Sequence, residues 1–167
     1  DTVIGRLVVR TDRLPGRPCG RGIAWLVQKW ASASWVDEVV EILCRYATSD
    51  PDPASDGWQE FTRNDNSPHV DGPYMAGINS VRGSAAHAIA QALFARPELT
   101  PRLMPVVDAL AHDRSVAVRS CAIYALLAIL DSQTATAVSW FLDCVSLDEA
   151  LLGTRVTERF LLYATRR

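Results

Sequence analysis

Lysine and histidine are scarce in this chain of 167 residues. It carries one Lys, three His and sixteen Arg, and its formal net charge is −2. No overall positive charge therefore draws it to nucleic acid or to an anionic membrane. The arginines are scattered among 19 acidic residues instead of following one stripe, which argues against an ordinary basic nucleic-acid-binding protein.

Long apolar runs and closely spaced cysteines are also missing. No apolar run reaches the roughly 20 residues of a membrane-spanning helix, and no signal peptide is visible. The four cysteines lie far apart without a C-x-x-C pair, so the sequence offers no zinc site. We therefore expect reduced thiols, a cytoplasmic location, no bound metal and no membrane partner.

The motifs of the common enzyme classes are absent. The sequence contains no G-x-S-x-G, H-E-x-x-H or G-x-x-x-x-G-K-[ST]. A nucleophilic Ser or Cys needs a histidine base, but His87 lies within an apolar helix pattern and His112 at a helix end. His69, beside Asp71, is the one histidine in an irregular stretch. We expect no catalytic residue, no cofactor and no enzyme activity; the alternative is a part of a hydrolase whose active site lies elsewhere.

The length and composition are those of one globular domain. Hydrophobic residues make up 49% of the chain and charged residues 22%, which are ordinary values for a soluble protein. A chain of this length can bury a sizeable core. We expect residues 1–167 to form a single helical-repeat domain and, because the chain begins with Asp1 instead of Met, to be a segment of a longer polypeptide.

Two stretches of the sequence predict nearly the same helix. Residues 80–94 read "SVRGSAAHAIAQALF", and residues 117–130, about 37 positions later, read "AVRSCAIYALLAIL". In both stretches the apolar residues follow one helix face, with alanines that allow a neighbouring helix to approach closely. Residues 100–113 predict a helix between them, with Thr100 as its N-cap and Pro101 at its first position. Such a helix–turn–helix unit buries its apolar face by stacking on further copies.

Weaker copies flank this unit. A helix over Cys19 to Trp30 and another over Trp35 to Ala47 are predicted to pair, and residues 132–165 predict one more pair. We therefore predict an all-α fold, a short α-solenoid of antiparallel helix pairs.

The stretch "LMPVVDALAHDRSVAVRSCAIYALLAIL" resembles a HEAT repeat. Members of that family carry a proline in the first helix, an aspartate at the turn, and Val-Arg followed by a spaced alanine in the second helix. The matching residues are Pro105, Asp113, Val118, Arg119 and Ala122, with Val81, Arg82 and Ala85 in the earlier copy. The good resemblance covers residues 79–131, and a looser one covers 17–47 and 132–165.

The resemblance also implies roles for three charged residues. In HEAT repeats the aspartate and the arginine hold successive repeats in register. By position, this role falls to Asp113, Arg82 and Arg119, while the match of Arg155 is thin because Thr154 stands where the family has valine.

Residues 48–79 interrupt the helical pattern. They are rich in Pro, Gly, Asp and Asn, and we predict one long irregular loop, since connections in compact domains are usually much shorter. Aromatic residues in exposed loops favour recognition, so the loop supplies the candidate partner-binding residues. These are Trp58, Phe61, His69 and Tyr74. The alternative is that they pack against the helices, hold the loop in place and cover the core.

These patterns favour a module for protein–protein interaction, scaffolding or sensing. The stretch "AGINSVRGSAAHAIAQALF" is similar to helical-repeat regions of very large bacterial multidomain proteins. The resemblance implies an arm of a larger intracellular bacterial protein, which binds a protein partner or other domains of its parent chain.

The alternative function is a helical-repeat module that binds nucleic acid through arginine. Arg82, Arg119 and Arg155 recur at the repeat period, and a helical solenoid can present such residues on one face. The two functions differ in geometry. Exposed arginines on a common face would favour nucleic acid, whereas arginines bonded to Asp113 or to backbone carbonyls would favour a structural role.

Overall fold

The computed structural model describes residues 2–16, 19–54, 57–59 and 71–166. Within these residues the chain contains nine complete α-helices and no β-strand, so the predicted all-α class is confirmed. The helices are α1 (Thr2–Asp12), α2 (Gly20–Lys29), α3 (Val36–Ser49), α4 (Gly72–Ile78), α5 (Val81–Ala95), α6 (Thr100–Ala111), α7 (Val116–Ile129), α8 (Thr134–Leu147) and α9 (Arg155–Ala164), with short 3-10 helices at Pro97–Leu99 and Glu149–Gly153.

The helices contact one another in two rows. In one row α2 packs on α5, α5 on α7, and α7 on α9; in the other, α1 packs on α3, α3 on α6, and α6 on α8. Across the rows, α3 packs on α5, and both α6 and α8 pack on α7. The sequence predicted that the helices over 19–30 and 35–47 pair. The contact between α2 and α3 exists, but α2 packs much more extensively on α5.

The core is centred on α5 and α7. Their mutual contact is the most extensive in the described structure, and their alanines are fully buried where they meet other helices. These include Ala85, Ala88, Ala122 and Ala125. Both helices are apolar on nearly all sides, as expected for helices with neighbours all around them. One continuous hydrophobic cluster runs from Val8 in α1 to Phe160 in α9.

Three helices begin with the same hydroxyl cap. The side chains of Ser80, Ser115 and Thr154 each accept a hydrogen bond from the backbone N–H three residues later, at the start of α5, α7 and α9. This bond satisfies a donor that has no partner inside the helix. The predicted cap at Thr100 is wrong. Thr100 is already helical, and its hydroxyl donates to the backbone oxygen of Pro97 at 2.7 Å.

The stretch predicted as one irregular loop at 48–79 is partly helical. Its first two residues belong to α3, and α4 forms near its end. Asp52 closes the insertion, because its carboxylate accepts from Val81 N at 2.7 Å and its backbone oxygen accepts from Arg82 N at 3.0 Å. The chain thus leaves α3 and returns to nearly the same point before α5 begins.

Helix α4 packs very closely on α5 and α7. A Cβ atom added to Gly83 would lie 2.2 Å from the backbone oxygen of Gly77, and one added to Gly77 would lie 2.3 Å from the backbone oxygen of Ala117. The Ser84 hydroxyl also donates to the backbone oxygen of Ile78 at 2.6 Å. The end of the insertion is therefore part of the packed structure.

None of the described helices has both the length and the apolar content needed to cross a lipid bilayer.

Candidate functional site

The first of the repeated arginines, Arg82, is buried in a hydrogen-bond network. Its side chain is 5% exposed. It donates from Nε and Nη2 to the two carboxylate oxygens of Asp113, at 3.0 and 3.2 Å, and from Nη1 to the backbone oxygen of Asp50, at 2.8 Å. Arg82 thereby connects the end of α3 and the turn after α6 to the start of α5.

Arg119 continues this network at the next helices. It donates from Nε to the backbone oxygen of Asp113 at 2.5 Å and from Nη1 to the backbone oxygen of Asp143 at 2.6 Å. The Asp113 carboxylate also accepts from Ser115 N at 2.8 Å. We call this chain of bonds the arginine ladder. It consists of Asp50, Arg82, Asp113, Arg119 and Asp143.

Arg155 lies outside the ladder. Its side chain is 81% exposed, and it contacts Asp71 through its backbone N, at 2.9 Å, and through Nε, at 3.2 Å. The three arginines therefore do not form a common exposed face. Two of them are bonded to aspartates and backbone carbonyls within the described structure, the geometry expected for a structural role.

Of the four candidate partner-binding residues, two can be placed. Phe61 and His69 lie outside the described residues. Trp58 is half-buried in the short described stretch 57–59. Tyr74, in α4, is half-buried, and its ring meets the ring of His87 edge-on, with 5.9 Å between the centroids. Of the two residues that can be placed, Tyr74 lies in a cluster of aromatic side chains.

An open groove runs along α7 between α5 and α9. It consists of two adjoining hollows of about 590 and 490 Å³, which share Tyr124 and Arg159 in their linings. The first also touches α4, and the second lies toward the carboxyl ends of α5, α7 and α9. We call this surface the aromatic groove. It is defined by Tyr74, His87, Phe94, Tyr124, Arg159 and Tyr163.

The repeat itself brings the rings together. His87 and Tyr124 occupy equivalent positions in the two similar helices, and these helices pack side by side. Their ring centroids are 5.1 Å apart at an interplanar angle of 75°, an edge-to-face arrangement that aromatic pairs favour. Phe94 contacts Tyr124 at 5.3 Å. Gln91 donates from Nε2 to the Tyr124 hydroxyl at 3.3 Å.

Two polar groups of the groove, His87 and Tyr74, are uncharged at neutral pH. Burial lowers the pKa of His87 below its ordinary value, so the imidazole is neutral at neutral pH. Burial also raises the pKa of Tyr74 well above its ordinary value, which keeps this hydroxyl protonated. Arg159 is exposed and forms no hydrogen bond or ion pair within the described residues. The groove thus combines aromatic surface, neutral hydrogen-bonding groups and four charged side chains, of which Arg159 makes no ion pair with the described residues.

Sequence analysis did not identify most of this surface. It assigned His87 to helix packing, which fits its ring contacts, but it did not connect His87 with Tyr74, Phe94 or Tyr124. One available signal was the spacing of residues 87, 91 and 94, which lie on the same face of one helix. The contributions of α4 and α9 have no comparable signal, because they depend on how the insertion and the last pair pack.

Three cysteines are poor candidates for nucleophiles. Burial raises the pKa of Cys44 to about 11 and those of Cys121 and Cys144 to about 12, so all three remain thiols at neutral pH. All four cysteines of the chain are free.

Among the residues that the structure describes, no three His, Cys, Asp or Glu side chains lie close enough together to hold a metal ion.

The two described histidines are expected to affect stability with opposite dependence on pH. Because the pKa of His87 is lowered in the folded chain, the unfolded chain below about pH 6.5 binds a proton that the folded chain does not. The stability of the fold therefore decreases as the pH falls. The pKa of His112 is raised, first by its bond to the backbone of Asp108 and also by Asp143. Its stabilising contribution is present at low pH and is lost as the pH rises through this raised pKa.

Unfolding of the wild type, His87→Gln and His112→Gln in urea between pH 5 and 8 measures both effects. Relative to the wild type, His87→Gln should gain stability as the pH falls, and the deficit of His112→Gln should shrink as the pH rises. Differences from the wild type cancel the titration of carboxylates common to all three proteins. Parallel pH profiles for wild type and His87→Gln would show that His87 is not desolvated.

Comparison with known proteins gives no family for this fold and groove. No family model matches the chain, and neither curated proteins nor solved structures include a significant match.

Proposed function

We propose that this chain is a non-enzymatic protein-interaction module that binds a protein partner, or another domain of its parent chain, through the aromatic groove. The observation that carries the proposal is the groove itself, an open surface formed by α4, α5, α7 and α9 with clustered, partly exposed aromatic rings. Aromatic side chains and arginine dominate the energetics of protein interfaces. The half-buried Tyr74, His87 and Tyr124 are already ordered by their contacts, so binding would cost little side-chain entropy.

The architecture we propose is a short HEAT-like α-solenoid. Its support is the sequence pattern together with the order of contacts in the two rows, in which each helix meets the equivalent helix of the next unit. The arginine ladder fits the register role that the resemblance implies for Asp113, Arg82 and Arg119. In this arrangement α2, α5, α7 and α9 present one continuous surface, on which the groove lies.

The alternatives have less support. Arg82 is buried and Arg119 is bonded to two backbone oxygens, so neither is free to contact a phosphate. A nucleophilic site within the described residues also lacks support, because three cysteines have raised pKa values and the pKa of His87 is lowered by burial instead of being tuned by an acidic partner. The alternative of a hydrolase whose active site lies elsewhere has no observation in its favour.

A photo-crosslinking experiment tests the proposal. A benzophenone amino acid replaces either Tyr163, 49% exposed in the groove, or Leu142, 57% exposed on α8 away from it. Illumination in native lysate should give a discrete, nuclease-resistant protein adduct from position 163 and none from position 142. The similar exposure of the two sites makes position 142 a control for random collisions. Equal adducts at both sites, no adduct at either, or an adduct that nuclease removes would contradict the proposal.

A further inference from the structure

The charge of the groove indicates what it binds. Four charged side chains line its two hollows: Asp71, Asp131, Arg155 and Arg159. Asp71 and Arg155 form an ion pair with each other, and Asp131 is also engaged by an interaction of its own. Arg159 makes no hydrogen bond or ion pair with the described residues, so its guanidinium group can pair with an acidic ligand.

The position of Arg159 also limits which ligands the groove can bind. It lies in the lining of both hollows, between the one that Tyr74 and His87 line and the one that Phe94 and Tyr163 line. A ligand that fills both hollows must pass Arg159. Arginine prefers a carboxylate, which can accept two hydrogen bonds from the planar guanidinium group. The complementary ligand therefore has an acidic group between two apolar groups.

The shape favours a peptide. The groove follows α9 from Val156 to Tyr163, a distance of about 10 Å at 1.5 Å per residue. An extended chain covers this length in about three or four residues. Each hollow is large enough for a bulky apolar side chain, and both are open to solvent along their length.

We propose that the aromatic groove binds a short extended peptide segment of a partner protein, in which Asp or Glu lies between two large apolar side chains and pairs with Arg159. This inference rests on the proposed function and specifies the partner. The apolar side chains occupy the two hollows and contact the exposed edges of the rings. The acidic side chain supplies specificity and makes binding weaker at high salt.

Selection from a random decapeptide library displayed on phage tests the proposal. The targets are the wild-type chain, Arg159→Glu, and Arg13→Glu, a control at an exposed arginine beyond the end of α1. Wild type and Arg13→Glu should enrich peptides with Asp or Glu between apolar residues. Arg159→Glu should lose these peptides and enrich ones with Lys or Arg in the same place. Because Arg159 is exposed and unpaired, its replacement should leave the thermal unfolding curve unchanged.

The selected peptide then serves as a fluorescent probe in titrations. Changing its acidic residue to Asn, or Arg159 to Gln, should each weaken binding about tenfold, as expected for a charge-assisted hydrogen bond, and the two changes together should cost little more than either alone. Peptides without an acidic preference, peptides that bind Arg159→Glu equally well, or no enriched peptide at all would overturn the inference. The proposed function is judged separately, by the adduct at position 163.

Discussion

Replacing Arg82 by Ala is expected to lower the free energy of unfolding by about 3–5 kcal/mol. The side chain is buried and makes two bonds to Asp113 and one to the backbone oxygen of Asp50. Its removal leaves the Asp113 carboxylate, which is itself mostly buried, without a counter-charge. Urea denaturation followed by circular dichroism measures the loss, which corresponds to a drop in Tm of roughly 6–20 °C for a chain of this size.

Arg102→Ala is the matched control. Arg102 also bonds a carboxylate through two nitrogens, but its side chain is 41% exposed and that of Glu41 is 72% exposed. An exposed pair of this kind contributes less than about 1 kcal/mol. A double-mutant cycle of Arg82→Ala and Asp113→Ala should give a large coupling energy, because each change removes the same bonds. If Arg82→Ala unfolds at the same urea concentration as Arg102→Ala, the ladder does not stabilise the fold.

The ladder shows what local sequence patterns can predict. The recurrence of Arg82 as Arg119, with Asp113 between them, is visible in the sequence because both helices repeat the same apolar face. Helices with the same apolar pattern tend to pack on their neighbours in the same way. The same position in each helix therefore reaches the corresponding turn of the neighbouring unit. Arg155 differs from both of these arginines, because it is the first residue of α9, directly after the capping Thr154, and it contacts Asp71 instead of a turn of the ladder.

Helix α4 and the groove could not be predicted in this way. A seven-residue segment with Gly72, Pro73 and Gly77 has poor helix propensity and is too short to be a stable helix alone. It is helical because it packs on α5 and α7, and Gly77 of α4 and Gly83 of α5 permit the close approach. Composition therefore predicted a loop where tertiary contacts produce a helix. Tyr74 reaches His87 only through this packing, so one wall of the groove has no signature in the local sequence.

Replacing Gly83 by Ala is expected to destabilise the fold by about 3 kcal/mol. The new methyl group would lie 2.2 Å from the backbone oxygen of Gly77 and 2.8 Å from its Cα. These are backbone atoms, so a side-chain rotation cannot relieve the clash, and α4 must move away from α5. The displacement would also carry Tyr74 away from His87. Urea denaturation followed by circular dichroism measures the loss of stability.

Gly22→Ala provides the opposite control within the same chain. Gly22 is exposed in α2, and a Cβ atom there would meet nothing within 4 Å. Since alanine is the better helix former, this change should stabilise the protein by about 0.5–1 kcal/mol. The two substitutions add the same methyl group to a helix, so their difference isolates the contact between α4 and α5. If Gly83→Ala is as stable as Gly22→Ala, α4 does not press on α5, and Tyr74 cannot be held against His87 as a wall of the groove.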